Sequence, residues 1–312
     1  MTKVLNKHNE KKHSGQGGDI DFSILLRTKN EQDHIGRILD AFQSQTYKNY
    51  EVIIVDSGST DRTLEIAEKY PVRIYRINPE DFTYGFSLNY GFERARGKYV
   101  VCLSGHALPQ SRDWLSSIIS NFKDEKVAAV MCKTIPWPDC NPFDRRGLLK
   151  KYNNHRREIT EGPPFIFSNS SSVIRRDIWK RIHFDETLSY SEDVDWARKV
   201  GALNYKIIYE PGAKVYHSHN ESLKQIYRRF YRESHALKTL NCKRYSILEI
   251  LYDLVAGSVY DMIYVLVKRD NIKWFFFAPL RRFAMNYARF RSNMVRDDSA
   301  IHRFISKLFN LI

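Results

Sequence analysis

From Tyr50 the chain reads Tyr-Glu-Val-Ile-Ile-Val-Asp-Ser-Gly-Ser-Thr-Asp-Arg-Thr, ending at Thr63. Val52, Ile53, Ile54 and Val55 leave no polar face on this strand, and a strand apolar on both sides needs a sheet covered on both sides. A polar turn follows, and then a helical pattern. In an open α/β sheet, the turns at the carboxyl ends of the strands are where ligands bind. This turn offers Asp56, Ser57, Ser59, Thr60 and Asp61. It has neither a glycine-lysine phosphate cradle nor a G-x-G-x-x-G. Acceptors and hydroxyls of this kind suit a base and a ribose better than a pyrophosphate.

The same alternation runs through the first half of the chain. The patterns predict strands at 22–27, 51–55, 72–77, 98–103 and 127–131, and helices at 32–44, 62–69, 85–95 and 112–122. Ile35, Ile38, Leu39 and Phe42 recur with the 3.6-residue period of a one-sided helix. Alternating strands and helices imply a mostly parallel sheet with helices on both faces. Residues 133–164 break the rhythm with five prolines, including Pro163 and Pro164, and read as a long connection leaving the sheet, of the sort that carries function or moves. Strand patterning resumes over 165–174. A helix is expected at 192–202, strands near 205–209 and 213–217, and helices from 220 onward.

Several blocks occur in a fixed order: Arg27-Thr-Lys-Asn-Glu31, Gln45-Thr-Tyr-Lys-Asn-Tyr50, Val55-Asp-Ser-Gly-Ser-Thr-Asp61, Asn89-Tyr-Gly91, Gly97-Lys-Tyr-Val-Val-Cys-Leu103 and Ser191-Glu-Asp-Val-Asp-Trp196. Each is weak alone. Together, over roughly residues 21–235, they resemble the inverting family 2 glycosyltransferases of the GT-A fold, with rhamnosyltransferase-like members nearest. The resemblance implies a Rossmann-like GT-A sheet flanked by helices, with a C-terminal helical extension. It further implies transfer of a sugar from a nucleotide diphosphate to a polysaccharide or lipid-linked acceptor, with inversion. A dTDP-rhamnose donor is implied by the resemblance alone. The resemblance places Arg27, Thr28, Asn30, Glu31, Asp56, Ser57, Asn89, Ser104 and His106 around the nucleotide sugar, and Asp193, with Glu192 beside it, as the catalytic carboxylate.

Taken by themselves, these residues have blander readings. Acids in a first helical turn stabilise the helix dipole, and Ser191 is a good N-cap. Yet Glu192, Asp193 and Asp195 are more acids than capping needs, and like charges raise one another's pKa. Asp56, Ser57 and Asp61 are ordinary turn and cap formers. Asn89 reads as a polar residue on a helix surface.

The metal site departs from the family pattern. The usual Asp-x-Asp is replaced by Ser104-Gly105-His106, and His217-Ser-His219 follows the last strand. In one reading His106 with His217 or His219 holds a divalent cation, Mn²⁺ or Mg²⁺, on the diphosphate, as in related enzymes with an Asp-x-His. In the other, the site is metal-free and these histidines act with Arg228, Arg229 or Arg232. Trp137 and Phe143 are candidates for the acceptor side, as is the segment Ser168–Ser172. Trp179 and Trp196 fit core positions.

The chain carries 50 basic and 36 acidic residues, a net charge of +14. Such a surface suits an anionic membrane or a phosphorylated substrate. With no zinc-finger spacing and no RNA-binding aromatic motif, nucleic acid ranks last. Four cysteines without a C-x-x-C read as reduced cytosolic thiols. Three segments are expected: a disordered basic tail at 1–20, the transferase domain at 21–239, and a basic, aromatic helical region at 240–312. Leu254 to Val267 is apolar, but it falls short of the roughly 20 residues of a span and is interrupted by Asp261. The C-terminal helices are expected either to lie on the inner face of the cytoplasmic membrane or to cap the domain. They could also pair copies of the chain. The rival function is an inactive nucleotide-sugar- or membrane-binding module on the same fold. Nucleotidyl transfer is disfavoured, because Arg27-Thr-Lys-Asn-Glu31 has no glycine.

Overall fold

The computed structural model describes residues 19–159 and 167–294. Most of the expected N-terminal tail (1–18), Pro163 and Pro164 lie outside the described residues. The chain divides into two compact units. The first runs to Cys140 and resumes over Asp144–Ser218; the second comprises Asn141–Phe143 and the chain from His219. The boundary expected after residue 239 therefore falls near 218. The reason is that the helix Leu223–Thr239 packs on the helix Lys273–Met294 through Ile226, Ala284 and Met285.

The first unit is built on nine strands: β1 (Phe22–Thr28), β2 (Tyr50–Asp56), β3 (Arg73–Arg76), β4 (Tyr99–Ser104), β5 (Leu108–Pro109), β6 (Val127–Ile135), β7 (Arg157–Glu158), β8 (Ser171–Arg175) and β9 (Lys206–Tyr216). They form one sheet in the order β3-β2-β1-β4-β8-β6-β9-β5, with β7 on β9. The expected α/β sheet is present, and its first four strands in that order are parallel. It becomes mixed where β8 runs antiparallel to both β4 and β6. The two strands expected near 205–209 and 213–217 are one bulged strand, β9. The excursion after 133 also holds more structure than expected: β6 continues to Ile135, and a helix spans Pro142–Lys151.

The four-residue apolar run behaves as its chemistry requires. Val52 and Ile54 join the core on one face, with Ile24, Leu26, Val101 and the helix Ile35–Gln43. Ile53 and Val55 join the other, with Leu25, Val100, Cys102 and the helices Tyr84–Arg94 and Glu192–Ala202. Successive strand residues point to opposite faces, so each strand feeds both cores. All four cysteines are free thiols.

Helix 84–94 comes close to β1 at Gly91, where a β-carbon would sit 2.4 and 2.6 Å from the two methyls of Leu25. Leu25 is fully buried and has nowhere to swing. Gly91→Ala should therefore destabilise the fold by about 1–3 kcal/mol through overpacking, outweighing the gain of roughly 1 kcal/mol in helix propensity. A lowered denaturant midpoint with an unchanged m-value is the expected result. A stabilised variant would contradict this packing.

Candidate active site

The parallel register sets the site. Arg27 pairs with Val55 on one side and Ser104 on the other, and Thr28 pairs with Asp56. The ends of β1, β2 and β4 thus form one row at the carboxyl edge of the sheet. The start of β8 joins it, with the Ser104 amide donating to the Ser170 carbonyl at 3.3 Å. Gly105 permits the crossing of two of these ends. A β-carbon there would lie 2.7 Å from the Glu31 side chain and 3.1 Å from the Arg27 carbonyl.

Arg27 sits at the centre of one cluster. Its Nη2 donates to the Asn169 carbonyl at 3.3 Å, and its guanidinium lies 5.4 Å from the centre of the Tyr84 ring. Tyr84 packs edge-on against Tyr190. The Nε and Nη1 of Arg27 are buried without a hydrogen-bond partner among the described residues. The Asn169 amide in turn donates to Asp193 Oδ2 at 3.3 Å, while Asp193 Oδ1 accepts from the Val194 amide at 2.9 Å.

Helix 192–202 begins as expected, but not for the expected reason. Ser191 occupies the N-cap position in the left-handed region, with φ 64°, and makes no capping hydrogen bond through its side chain. That conformation is unusual for a residue with a β-carbon. Glu192 is buried, and its carboxyl is pushed up to about 8 by loss of water and then by the charge of Asp193, against the opposing pull of Arg27. Loss of water likewise raises Asp193, while the amides it accepts from and the cations Lys151 and Arg27 pull it down. Acids that served only to cap the helix would be exposed and lowered in pKa. A helix dipole contributes about 0.3–1 kcal/mol, less than one pKa unit, and here burial outweighs it. The pair is arranged against its own ionisation, as functional acids and bases often are.

A second cluster holds the histidines. His106 Nδ1 lies 2.8 Å from Glu31 Oε1. Its ring stacks on that of His217, with centroids 4.8 Å apart and planes 15° off parallel. His34 is 6.2 Å from His106 and 5.8 Å from Trp137. Trp137 stacks on Tyr216, with Arg37 5.0 Å from its ring centre. His219 is exposed, two residues beyond His217, where the chain enters the second unit.

The remaining expected nucleotide contacts divide into two groups. Asn30, in the left-handed region, stands at the rim and accepts from the Thr60 amide at 2.8 Å. Arg27, Glu31, Ser104 and His106 also belong to the rim. Thr28, Asp56, Ser57 and Asn89 are corrections, because their side chains are used inside the protein. Asp56 accepts from the Thr28 and Ser59 hydroxyls and from the amides of Gly58 and Ser59, so it builds the turn and offers nothing outward. Ser57 donates to the Thr28 carbonyl at 3.3 Å. The Asn89 amide donates to the Phe184 carbonyl and Glu186, and accepts from Trp179 and the Phe184 amide. It clips helix 84–94 to the loop before the carboxylates and is not a surface residue.

Among the acceptor-side candidates, Phe143 is buried against Val265, Ala278 and Trp274 in the second unit and is a core residue. Trp179 and Trp196 are buried, as their helical positions suggested. Arg229 is held by Glu221 through Nε at 3.0 and 2.8 Å. No local pattern marks Tyr84, Tyr190 or His34, which act through tertiary neighbours. Asn169 lies in the segment Ser168–Ser172, where nothing in the spacing sets it apart from its neighbours.

The family model of glycosyl transferase family 2 matches residues 23–182, and the chain belongs to that family. It is 33% identical over 203 residues to the O-antigen chain rhamnosyltransferase WbaN of Salmonella anatum, a match covering 61% of this chain and 64% of WbaN. The match thus spans just under two thirds of that relative's length. It is 26% identical over 224 residues to the O-antigen chain rhamnosyltransferase RfbN of Salmonella typhimurium, covering 68% of this chain and 71% of RfbN. Among solved structures, it is similar to the mannosyltransferase PcManGT from Pyrobaculum calidifontis in complex with GDP-Man and Mn²⁺. That likeness has a TM-score of 0.58 at 19% identity and covers 87% of this chain and 85% of that one. The fold is GT-A, and the resemblance to rhamnosyltransferase-like members of the family stands.

Asn89→Ala separates clip from ligand contact. It leaves buried partners unpaired, at about 1–3 kcal/mol for each group that finds no substitute. The expected result is a lowered melting temperature with nucleotide affinity of the folded protein within a factor of about 2, well under 1.4 kcal/mol. A tenfold loss of affinity at unchanged stability would restore Asn89 to the nucleotide site.

Proposed function

We propose that this chain is an inverting glycosyltransferase that moves a sugar, rhamnose by our reading, from a nucleotide diphosphate to a hydroxyl of a polysaccharide or lipid-linked saccharide. The observation that carries the reading is the carboxyl pair Glu192 and Asp193 beside the buried guanidinium of Arg27, at the edge where the strands of this fold end. Similarity to WbaN and RfbN supports the donor and acceptor class.

In the reaction, the acceptor oxygen bonds to the anomeric carbon as the bond from that carbon to the diphosphate breaks. The diphosphate leaves with the electron pair, and the acceptor proton passes to the Asp193 carboxylate. Attack from the face opposite the leaving group inverts the centre, and no covalent enzyme intermediate is needed. Arg27 supplies N–H donors that are unpaired among the described residues, and a positive charge, for the charge that develops on the diphosphate. Burial and the neighbouring Asp193 charge raise Glu192, which disfavours a second negative charge beside the base.

The histidine cluster fits a divalent cation. His106 turns Nδ1 to Glu31, and such a carboxylate commonly orients a metal-bound imidazole and leaves Nε2 for the ion. A ring nitrogen of His217 lies within 4.8 Å of one of His106. His106 and His217 would hold Mn²⁺ or Mg²⁺. Such a cation, when bound, neutralises diphosphate charge. Imidazole donors favour Mn²⁺ of the two.

Asp193→Asn should lower kcat by about 10²–10⁴-fold, with the dissociation constant of the nucleoside diphosphate unchanged. Because the base acts ionised and its pKa is raised, wild-type kcat should climb with pH through the acidic range, and this limb should vanish in the variant. Turnover undiminished in D193N would leave a binding module instead.

His106→Ala should lose Mn²⁺ binding, measured by titration calorimetry on the protein alone. Transfer assayed across dTDP-, GDP- and UDP-sugars with Mn²⁺ or EDTA then tests donor and metal together. Full activity in EDTA, with no Mn²⁺ uptake, would replace the metal reading with the metal-free one.

A further inference from the structure

The second unit inverts the usual distribution of polarity. Its helix Ile247–Val267 is long and apolar enough to cross a membrane, yet only 22% of its most apolar stretch is buried. Asp261 is fully buried and takes the Nε and Nη2 of Arg282 at 2.7 and 3.1 Å. Asp253 takes Asn286 and Arg289, each at 2.9 Å. The charges therefore lie between this helix and Lys273–Met294. The apolar side chains face out.

On the first helix Leu248, Tyr252, Val255, Val259, Ile263 and Leu266 are each more than half exposed, at helical spacing. On the second, Phe276, Leu280, Phe283, Tyr287, Phe290 and Met294 form one stripe at intervals of four and three. The pair is rimmed by exposed cations: Lys243 and Arg244 before the first helix, and Lys268, Arg269 and Lys273 at the tip between the two. A stripe of this length is far more apolar surface than a soluble monomer leaves uncovered.

We infer that this hairpin inserts its outward apolar face into the interfacial layer of an anionic lipid bilayer. Two features favour lipid over a second copy of the chain. Basic residues before the first helix and at the tip match anionic headgroups. Tyrosines and phenylalanines alternate with aliphatics along the stripes, as at a membrane interface. The charged tip opposes burial at the bilayer centre, so the helices lie along the surface. This inference stands independently of the sugar-transfer reading.

The full chain should pellet with phosphatidylglycerol-containing vesicles and much less with pure phosphatidylcholine. Val255→Glu with Val259→Glu, both at exposed positions, should reduce the partition coefficient at least tenfold at an unchanged melting temperature. In otherwise wild-type chain, Tyr260→Trp should give an indole quenched by brominated lipid, which keeps the test alive if the double variant unfolds. Equal pelleting of the double variant, or no bromine quenching at Tyr260→Trp, would overturn the inference. So would a dimer in solution that the double variant dissociates, with no vesicle binding by either protein.

Discussion

The register between β1 and its two parallel neighbours is the constraint on which the site depends. Side chains alternate faces with a period of two, so a slip of one residue would exchange the two cores. Ile24 and Leu26 belong to one core and Leu25 to the other, which fixes the slip at zero. With the register fixed, Arg27, Asp56 and Ser104 must end their strands together. The chemistry at the edge is thus positioned by packing several residues below it. Gly105 completes the arrangement, because the loop after β4 crosses β1 where no β-carbon fits.

Electrostatics in the first cluster follow from exclusion of water more than from pairing. Arg27 acts on both acids and Lys151 on Asp193 as well, and both acids are still raised in pKa. An exposed pair would behave in the opposite sense, with the guanidinium lowering its neighbours. The same burial leaves two nitrogens of Arg27 unpartnered among the described residues, an arrangement that costs stability and persists where function holds it. The left-handed Ser191, immediately before the acids, adds backbone strain at the same point. Three departures from minimum energy at one edge mark it more sharply than any one of them.

Much of the fold was legible because its signals are local. The strands at 22–28, 50–56 and 99–104 and the helix at 192–202 carry periodicity, caps or turn residues in their own sequence. The site was legible in outline, since the ordered motifs fall at strand ends that the sheet brings side by side. The division between residues that face outward and residues that hold the frame was not. Asn89 and Asp56 are polar, lie near the site and sit in motifs, yet their hydrogen-bonding capacity is used up by Trp179, Phe184 and the turn amides. The partners of Asn89 are 90 or more residues away, and no spacing rule reaches that far. The Glu31 and His106 contact, 75 residues apart, was hidden for the same reason. Phe143 shows the converse case: an aromatic in an irregular excursion that joins a core formed by helices more than a hundred residues later.

The C-terminal helices show where linear hydropathy misleads. Asp261 shortens the apolar run when the sequence is read along its length, which argues against a membrane span. In three dimensions Asp261 and Asp253 are neutralised by Arg282 and Arg289 from the neighbouring helix, and the polar interruption is turned inward. A buried ion pair contributes little net stability against an apolar substitute. Its value here is positional: pairing the acids with arginines across the interface fixes which face of each helix turns in. With the charged positions inside, the apolar positions have only the outside left, and the exposed stripes on both helices follow from that single choice of face.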